Sequence, residues 1–226
     1  QAAGDIERAM PLHEATLAQH RRVLGETHPD TLVSCNTLAW AYATTGSPKR
    51  AVPLCESALA QHERILGHTH PDTLNSRDTL AYAYVTAGDL DRAVPLCEST
   101  LAQHERILGD THPGTLNSRN TLAFAYRAAG DLERALPLYE AVLAQRERIL
   151  GDLHPDTLHS RGQLAWAYLT AGDLDRAVPL CETSLAQHVQ VLGDTHPDTL
   201  NSHHALVLAR AAAAAAAAAA EQGGIP

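Results

Sequence analysis

Pro71-Asp72-Thr73-Leu74-Asn75-Ser76-Arg77-Asp78-Thr79-Leu80-Ala81-Tyr82-Ala83-Tyr84, then Ala87-Gly88-Asp89-Leu90, is the stretch that decides the fold. Pro71 suits a first helical turn, where its missing N–H would be unpaired anyway. Asp72 complements the positive end of the helix dipole. The helix is expected to stop at Gly88, which reaches the left-handed turn that closes a helix. Asp89 is expected to cap a second helix whose apolar stripe is Leu90, Ala93, Val94, Cys97, Leu101 and Leu108, all at helical spacing. Gly109 ends that helix, and Asp110-Thr111-His112 leads to the next proline. Two helices and a tight turn make an αα-hairpin, with a first and a second helix in each unit.

The same hairpin recurs in both directions. Gly4, Gly46, Gly88, Gly130 and Gly172 stand 42 residues apart, as do Gly25, Gly67, Gly109, Gly151 and Gly193. His28-Pro29, His70-Pro71, His112-Pro113, His154-Pro155 and His196-Pro197 keep the same step. Units of this kind cannot bury their apolar faces alone and stack into a continuous core. The expected array covers residues 1–210, with boundaries at about 1–29, 30–71, 72–113, 114–155, 156–197 and 198–220. Ten helices follow: a lone second helix over about residues 5–24, four complete pairs, and a last first helix from near Pro197. The glycine expected near 214 is missing, and Ala211 to Ala220 form a run of strong helix formers before a tail that reads as frayed. The opening Gln1-Ala2-Ala3-Gly4 reads as the end of a repeat, so a longer parent chain is expected.

Hydrophobic residues make up 45% of the chain and aromatics 4%, so the core is built from Ala, Leu and Val. Pro11, Pro53, Pro95, Pro137 and Pro179 fall inside the second helices and are expected to bend them. Of the four cysteines, Cys55, Cys97 and Cys181 share one repeat position. Equivalent positions on stacked helices lie roughly 10 Å apart, beyond the about 7 Å a disulfide spans. Reduced core thiols and a cytoplasmic location are expected. The formal charge of −9 argues against a general nucleic-acid platform, which carries a basic stripe. No stretch reads as a signal peptide or membrane span.

Leu80-Ala81-x-x-Tyr84, then Ala87-Gly88-Asp89-Leu90, then Ala93, resembles the tetratricopeptide repeat, with its leucine–small–aromatic run, turn glycine and small residue on the second helix. The 42-residue unit, with Ile107-Leu108-Gly109 and starts such as His70-Pro71-Asp72, is similar to the kinesin light chain subclass, and a bacterial source is expected. The resemblance implies an all-α fold, a right-handed α-solenoid of tandem αα-hairpins, whose concave wall is lined by first helices and holds extended partners. Arg77, Arg119 and Arg161 depart from the family's bulky aromatic on the first helix, and cysteines depart from an aromatic on the second. Both changes are expected to thin the core.

The face of the first helix left over by Leu74, Leu80, Ala81 and Tyr84 is Asn75, Asp78, Tyr82 and Val85, at spacings of three, four and three. Read across repeats it gives columns. One holds Trp40, Tyr82, Phe124 and Trp166, then Leu208; a second holds Asn36, Asp78, Asn120, Gly162 and His204. A third holds Val33, Asn75, Asn117, His159 and Asn201, and a fourth Ala43, Val85, Arg127 and Leu169. As a binding site this is an aromatic ladder with amides that pair with both groups of a peptide bond. The expected peptide-binding set is Asn36, Trp40, Asn75, Asp78, Tyr82, Asn117, Asn120, Phe124, Arg127 and Trp166. The alternative is that the rings pack between helices.

The fourteen histidines do not show metal-ligand spacing, since the His-Pro column steps by a whole repeat. His13-Glu14 and His62-Glu63 begin like a metalloprotease helix, but Leu17 and Leu66 replace the second histidine. No phosphate loop or nucleophile elbow occurs. The Gln61–Arg64 and Gln103–Arg106 blocks read as a solvated face. The expectation is a non-catalytic scaffold without metal or cofactor, binding a peptide or protein segment, with no nucleic-acid or membrane partner. The alternative is a self-assembling or sensor arm of a larger regulator, for example behind a nucleotide-binding switch domain.

Overall fold

The computed structural model describes the backbone of residues 2–223 and the side chains of residues 9–219. The last residues of the expected frayed tail, 224–226, lie outside the described residues. Among the described residues there are ten helices and no strand: α1 Ala2–Leu24, α2 Pro29–Thr44, α3 Pro48–Leu66, α4 Pro71–Ala87, α5 Leu90–Leu108, α6 Pro113–Ala128, α7 Leu132–Leu150, α8 Pro155–Ala171, α9 Leu174–Leu192 and α10 Pro197–Gly223. The alanine run continues α10.

The chain divides into two compact units, residues 1–131 with α1 to α6 and residues 132–226 with α7 to α10. In the first unit each helix packs on the next, and the first helices α2, α4 and α6 also pack side by side. In the second unit α7 to α10 pack in sequence, and α8 touches α10.

The His-Pro column is a column of helix caps. His70 is extended (φ −68°, ψ 140°), and its Nδ1 accepts the Asp72 N–H at 3.2 Å. His28, His112, His154 and His196 do the same for Asp30, Gly114, Asp156 and Asp198. Each cap pairs one of the donors a helix start leaves open. Two residues into the helix, the Thr73 hydroxyl donates to the Gly67 carbonyl at 2.8 Å, tying α4 back to the turn that ended the previous hairpin. Thr31, Thr115 and Thr199 repeat that tie.

Gly88 sits at φ 77°, ψ 10°, and the following Asp89 N–H reaches the Tyr84 carbonyl at 2.9 Å, closing α4 as the sequence predicts. Asp89 occupies the cap position of α5 but makes no side-chain cap bond; its carboxylate lies 2.6 Å from Arg92 Nε. Asp173 does cap α9, accepting the Arg176 N–H at 3.2 Å. The second helices run through their internal prolines without a break.

Small residues let the helices approach closely. Ala39, Ala81 and Ala123 on first helices and Ala51, Ala93 and Ala177 on second helices are completely buried. Leu74 is completely buried too; burial of such a side chain contributes about 1.5–3 kcal/mol. All four cysteines are buried and free. Burial pushes the Cys55 and Cys97 thiols up to about 12.

Two expectations are corrected. Arg77, Arg119 and Arg161 do not thin the core. Their side chains are 13%, 13% and 4% exposed, and they reach Glu63, Glu105 and Glu147 at 2.7, 2.6 and 2.5 Å. The aliphatic stem packs while the guanidinium finds a carboxylate on the preceding second helix. The Gln-His-Glu-Arg blocks are not wholly a solvated face either. His62 and His104 are buried, whereas Arg64 is exposed and bonds its neighbour Gln61.

Candidate functional site

In the first unit α2, α4 and α6 stand side by side and turn one stripe each to the same wall. Trp40 on α2 is 54% exposed. Tyr82 on α4 and Phe124 on α6 are half-buried, with ring centroids 5.5 Å apart and planes tilted by 31°. The Arg127 guanidinium lies 5.2 Å from the Phe124 ring centroid, a cation–π contact. Asn75 and Asn117, two turns before Tyr82 and Phe124 on the same helices, are exposed. The structure therefore brings Tyr82, Phe124 and Arg127 together and leaves the Trp40 ring open. Ala43 and Val85, from the fourth column, are buried in the core and leave Arg127 as that column's surface member in this unit.

The column of Asn36, Asp78 and Asn120 has a use inside the array that column reading missed. Asn36 Nδ2 donates to Ser76 Oγ at 2.7 Å, and Ser76 Oγ lies 2.7 Å from His62 Nδ1. Burial lowers the pKa of His62, favouring the neutral ring that accepts the Ser76 hydroxyl. One repeat later the polarity reverses. Asp78 Oδ1 accepts from Ser118 Oγ at 2.8 Å, and its Oδ2 lies 3.1 Å from His104 Nε2. Burial raises the Asp78 pKa, against the opposing pull of His104 and Ser118. Asn120 is half-buried, and its Oδ1 has no hydrogen-bond partner among the described residues; the same is true of Asn36 Oδ1. The signal was in the sequence: Ser76, Ser118, Ser160 and Ser202 recur at the same step as His62, His104 and His188.

In the second unit Trp166 is half-buried. It stacks on His204 with centroids 6.3 Å apart and packs against a cluster of Ala165, Cys181, Ala205, Leu206 and Ala209. Trp166 thus serves packing as well as surface. Gly162 supplies no side chain to the polar column, and the Cβ position above it is open. Here Ser202 Oγ lies 3.0 Å from His188 Nδ1, and Arg146 donates to Ser160 Oγ at 2.6 Å.

A second set of bonds joins successive helices at the other end of the first helix. Tyr84 donates to Glu56 Oε1 at 2.8 Å, and the Arg92 guanidinium lies 4.2 Å from its ring centroid. Burial, with the Glu56 bond, pushes the Tyr84 hydroxyl up to about 12. Tyr42 with Glu14 and Arg50, and Tyr168 with Glu140 and Arg176, repeat the arrangement. No three His, Cys, Asp or Glu side chains gather as metal ligands among the described residues.

The family profile described as tetratricopeptide repeat matches residues 1–60, 45–96, 79–147 and 119–180. The chain belongs to the tetratricopeptide-repeat family. A kinesin light chain protein from Podosopora anserina with nearly identical tetratricopeptide-like repeats is 36% identical, over 86% of this chain and 92% of that one, with a TM-score of 0.68. BtubC from P. vanneervenii is 22% identical, over 98% and 94% of the two chains, with a TM-score of 0.64. A Rap protein solved with Competence and Sporulation Factor shares the fold at 12% identity and a TM-score of 0.69, over 92% of this chain and 60% of that one. A search of curated proteins found no match. The kinesin light chain-like subclass expected from the 42-residue step is therefore the one to which this tetratricopeptide array is similar. The family fold is that of a protein-interaction scaffold, and its arrays are in general non-catalytic. Among the described residues no helix is long and apolar enough to cross a membrane.

Proposed function

We propose that the array is a non-catalytic scaffold that holds a peptide or protein segment against the first-helix wall of its first unit. Trp40, Tyr82 and Phe124 act as apolar anchors, Arg127 braces the Phe124 ring, and Asn75 and Asn117 serve the partner's backbone. The observation that carries this reading is the row of incompletely buried rings on adjacent helices, in a chain with few aromatics. Rings offer large contact area at small entropy cost, and exposed amides both donate and accept. The Rap protein, which shares the fold, was solved in complex with a factor. Asn36 and Asp78 act behind the wall by fixing adjacent helices, and Trp166, in the second unit, is partly packed. The four free thiols suit a reducing compartment such as the cytoplasm.

Panning a random peptide library on the wild-type chain, then titrating the selected peptides, tests the site. The Tyr82→Ala, Phe124→Ala double variant should lose about tenfold or more in affinity while keeping its helical circular dichroism. Equal affinity for both chains would move the site off this wall.

A further inference from the structure

A hollow of about 570 Å³ opens between α1, α2 and the start of α3. Its floor is apolar, made by the buried Leu17 and Leu38. Arg21, Arg22 and Arg50 line it, and the Tyr42 hydroxyl, bonded to Glu14, closes one side. Leu38 and Tyr42 lie two positions either side of Trp40, which puts them about 200° round the helix from that ring. The hollow is therefore separate from the proposed peptide wall.

Beside the hollow the sequence departs from the later repeats. In three later repeats Glu63, Glu105 and Glu147 pair with Arg77, Arg119 and Arg161. At the corresponding places, 42 residues earlier than Glu63 and Arg77, the chain has Arg21 and Cys35. A short thiol replaces a long guanidinium, and a cation replaces the carboxylate that would have met it. Arg21 Nη2 stops 3.9 Å from Cys35 Sγ, and Arg21 Nε pairs with Glu26 at 3.0 Å. Arg50 pairs with Glu14 at 3.0 Å. Arg22 has no ion pair among the described residues, so the hollow keeps a surplus positive charge in a chain of net charge −9.

We infer that this hollow binds a small organic anion with an apolar body, an aromatic or short-chain carboxylate or sulfonate. The leucine floor takes the body, and the guanidiniums take the charged end, for which their planar donor fork is suited. The volume falls within the roughly 300–1,000 Å³ usual for small-molecule sites.

The test is fluorescence titration of the whole chain with anilinonaphthalene sulfonate. Wild type should bind the probe saturably; naphthoate should displace it and the neutral naphthalenemethanol should not. The double variant Arg21→Glu, Cys35→Arg rebuilds the pair found in the later repeats. It should melt no lower than wild type and bind the probe about tenfold more weakly or less. Arg22→Ala, at an exposed position, should weaken binding several-fold and reduce its salt dependence, whatever the double variant does. Absence of saturable binding to wild type, undiminished binding to either variant, or equal displacement by the neutral competitor would overturn the inference.

Discussion

Asp78 takes the place that Asn36 and Asn120 hold in the neighbouring repeats, and it turns the hydrogen bonds of that layer around. An amide can donate to one serine, whereas a carboxylate accepts from Ser118 and His104 together. The arrangement leaves a carboxylate largely out of water, and burial raises its pKa above the ordinary aspartate value of 3.8. A raised folded-state pKa means that the folded chain binds this proton more tightly than the unfolded chain. The contribution of Asp78 to stability is therefore greatest below 3.8 and declines as pH rises through the folded pKa. Asp78→Asn should remove that decline. In paired thermal melts the variant should gain on wild type as pH rises from that value toward neutrality. A constant gap between the two curves would show that Asp78 ionises in the fold as it does in the unfolded chain.

Helices α2, α4, α6, α8 and α10 all begin with a histidine cap where serine, threonine or aspartate is more usual. His70→Ala should cost about 1 kcal/mol, the usual loss when a cap goes. That corresponds to a fall of about 2–4 °C in a chain of this size class. His70→Ser should recover most of the loss, and no difference between the two variants would mean the ring is not capping. Element boundaries were legible because Gly88, Gly109 and Pro71 act on their own segments of chain. What the columns hid was lateral. Arg77 finds its carboxylate 14 residues back and Asn36 its serine 40 residues on, both on other helices. A reading along one helix therefore gives Arg77 no partner and shows nothing of the bonds that Asn36 and Asp78 make to the next repeat. The Tyr82, Phe124 and Trp40 stripe was legible because helical spacing alone sets which residues share a face. Trp166 obeys the same spacing, but it packs on Leu206 and its neighbours, which spacing cannot foretell.

Across the whole molecule, the helix packing within each unit joins helices one or two places apart in the chain. Such arrays gain stability by nearest-neighbour terms, so the units need not melt together. The buried thiols can report this. Cys55 and Cys97 lie in the first unit and Cys181 in the second. In pulsed alkylation along a denaturant gradient, Cys181 should become labelled first, because its unit holds four helices where the first holds six, and so has fewer nearest-neighbour packings to stabilise it. Coincident labelling curves would instead mark a single cooperative block. The bonds that cross from one hairpin to the next recur at fixed offsets: Thr73 to Gly67, Arg77 to Glu63, Tyr84 to Glu56, Arg92 to Glu56 and Asn36 to Ser76. A gene segment duplicated in step with that register arrives with half of every such bond and meets the other half already in place. Lengthening the protein by slippage or unequal crossing-over therefore demands no compensating mutation at the new seam.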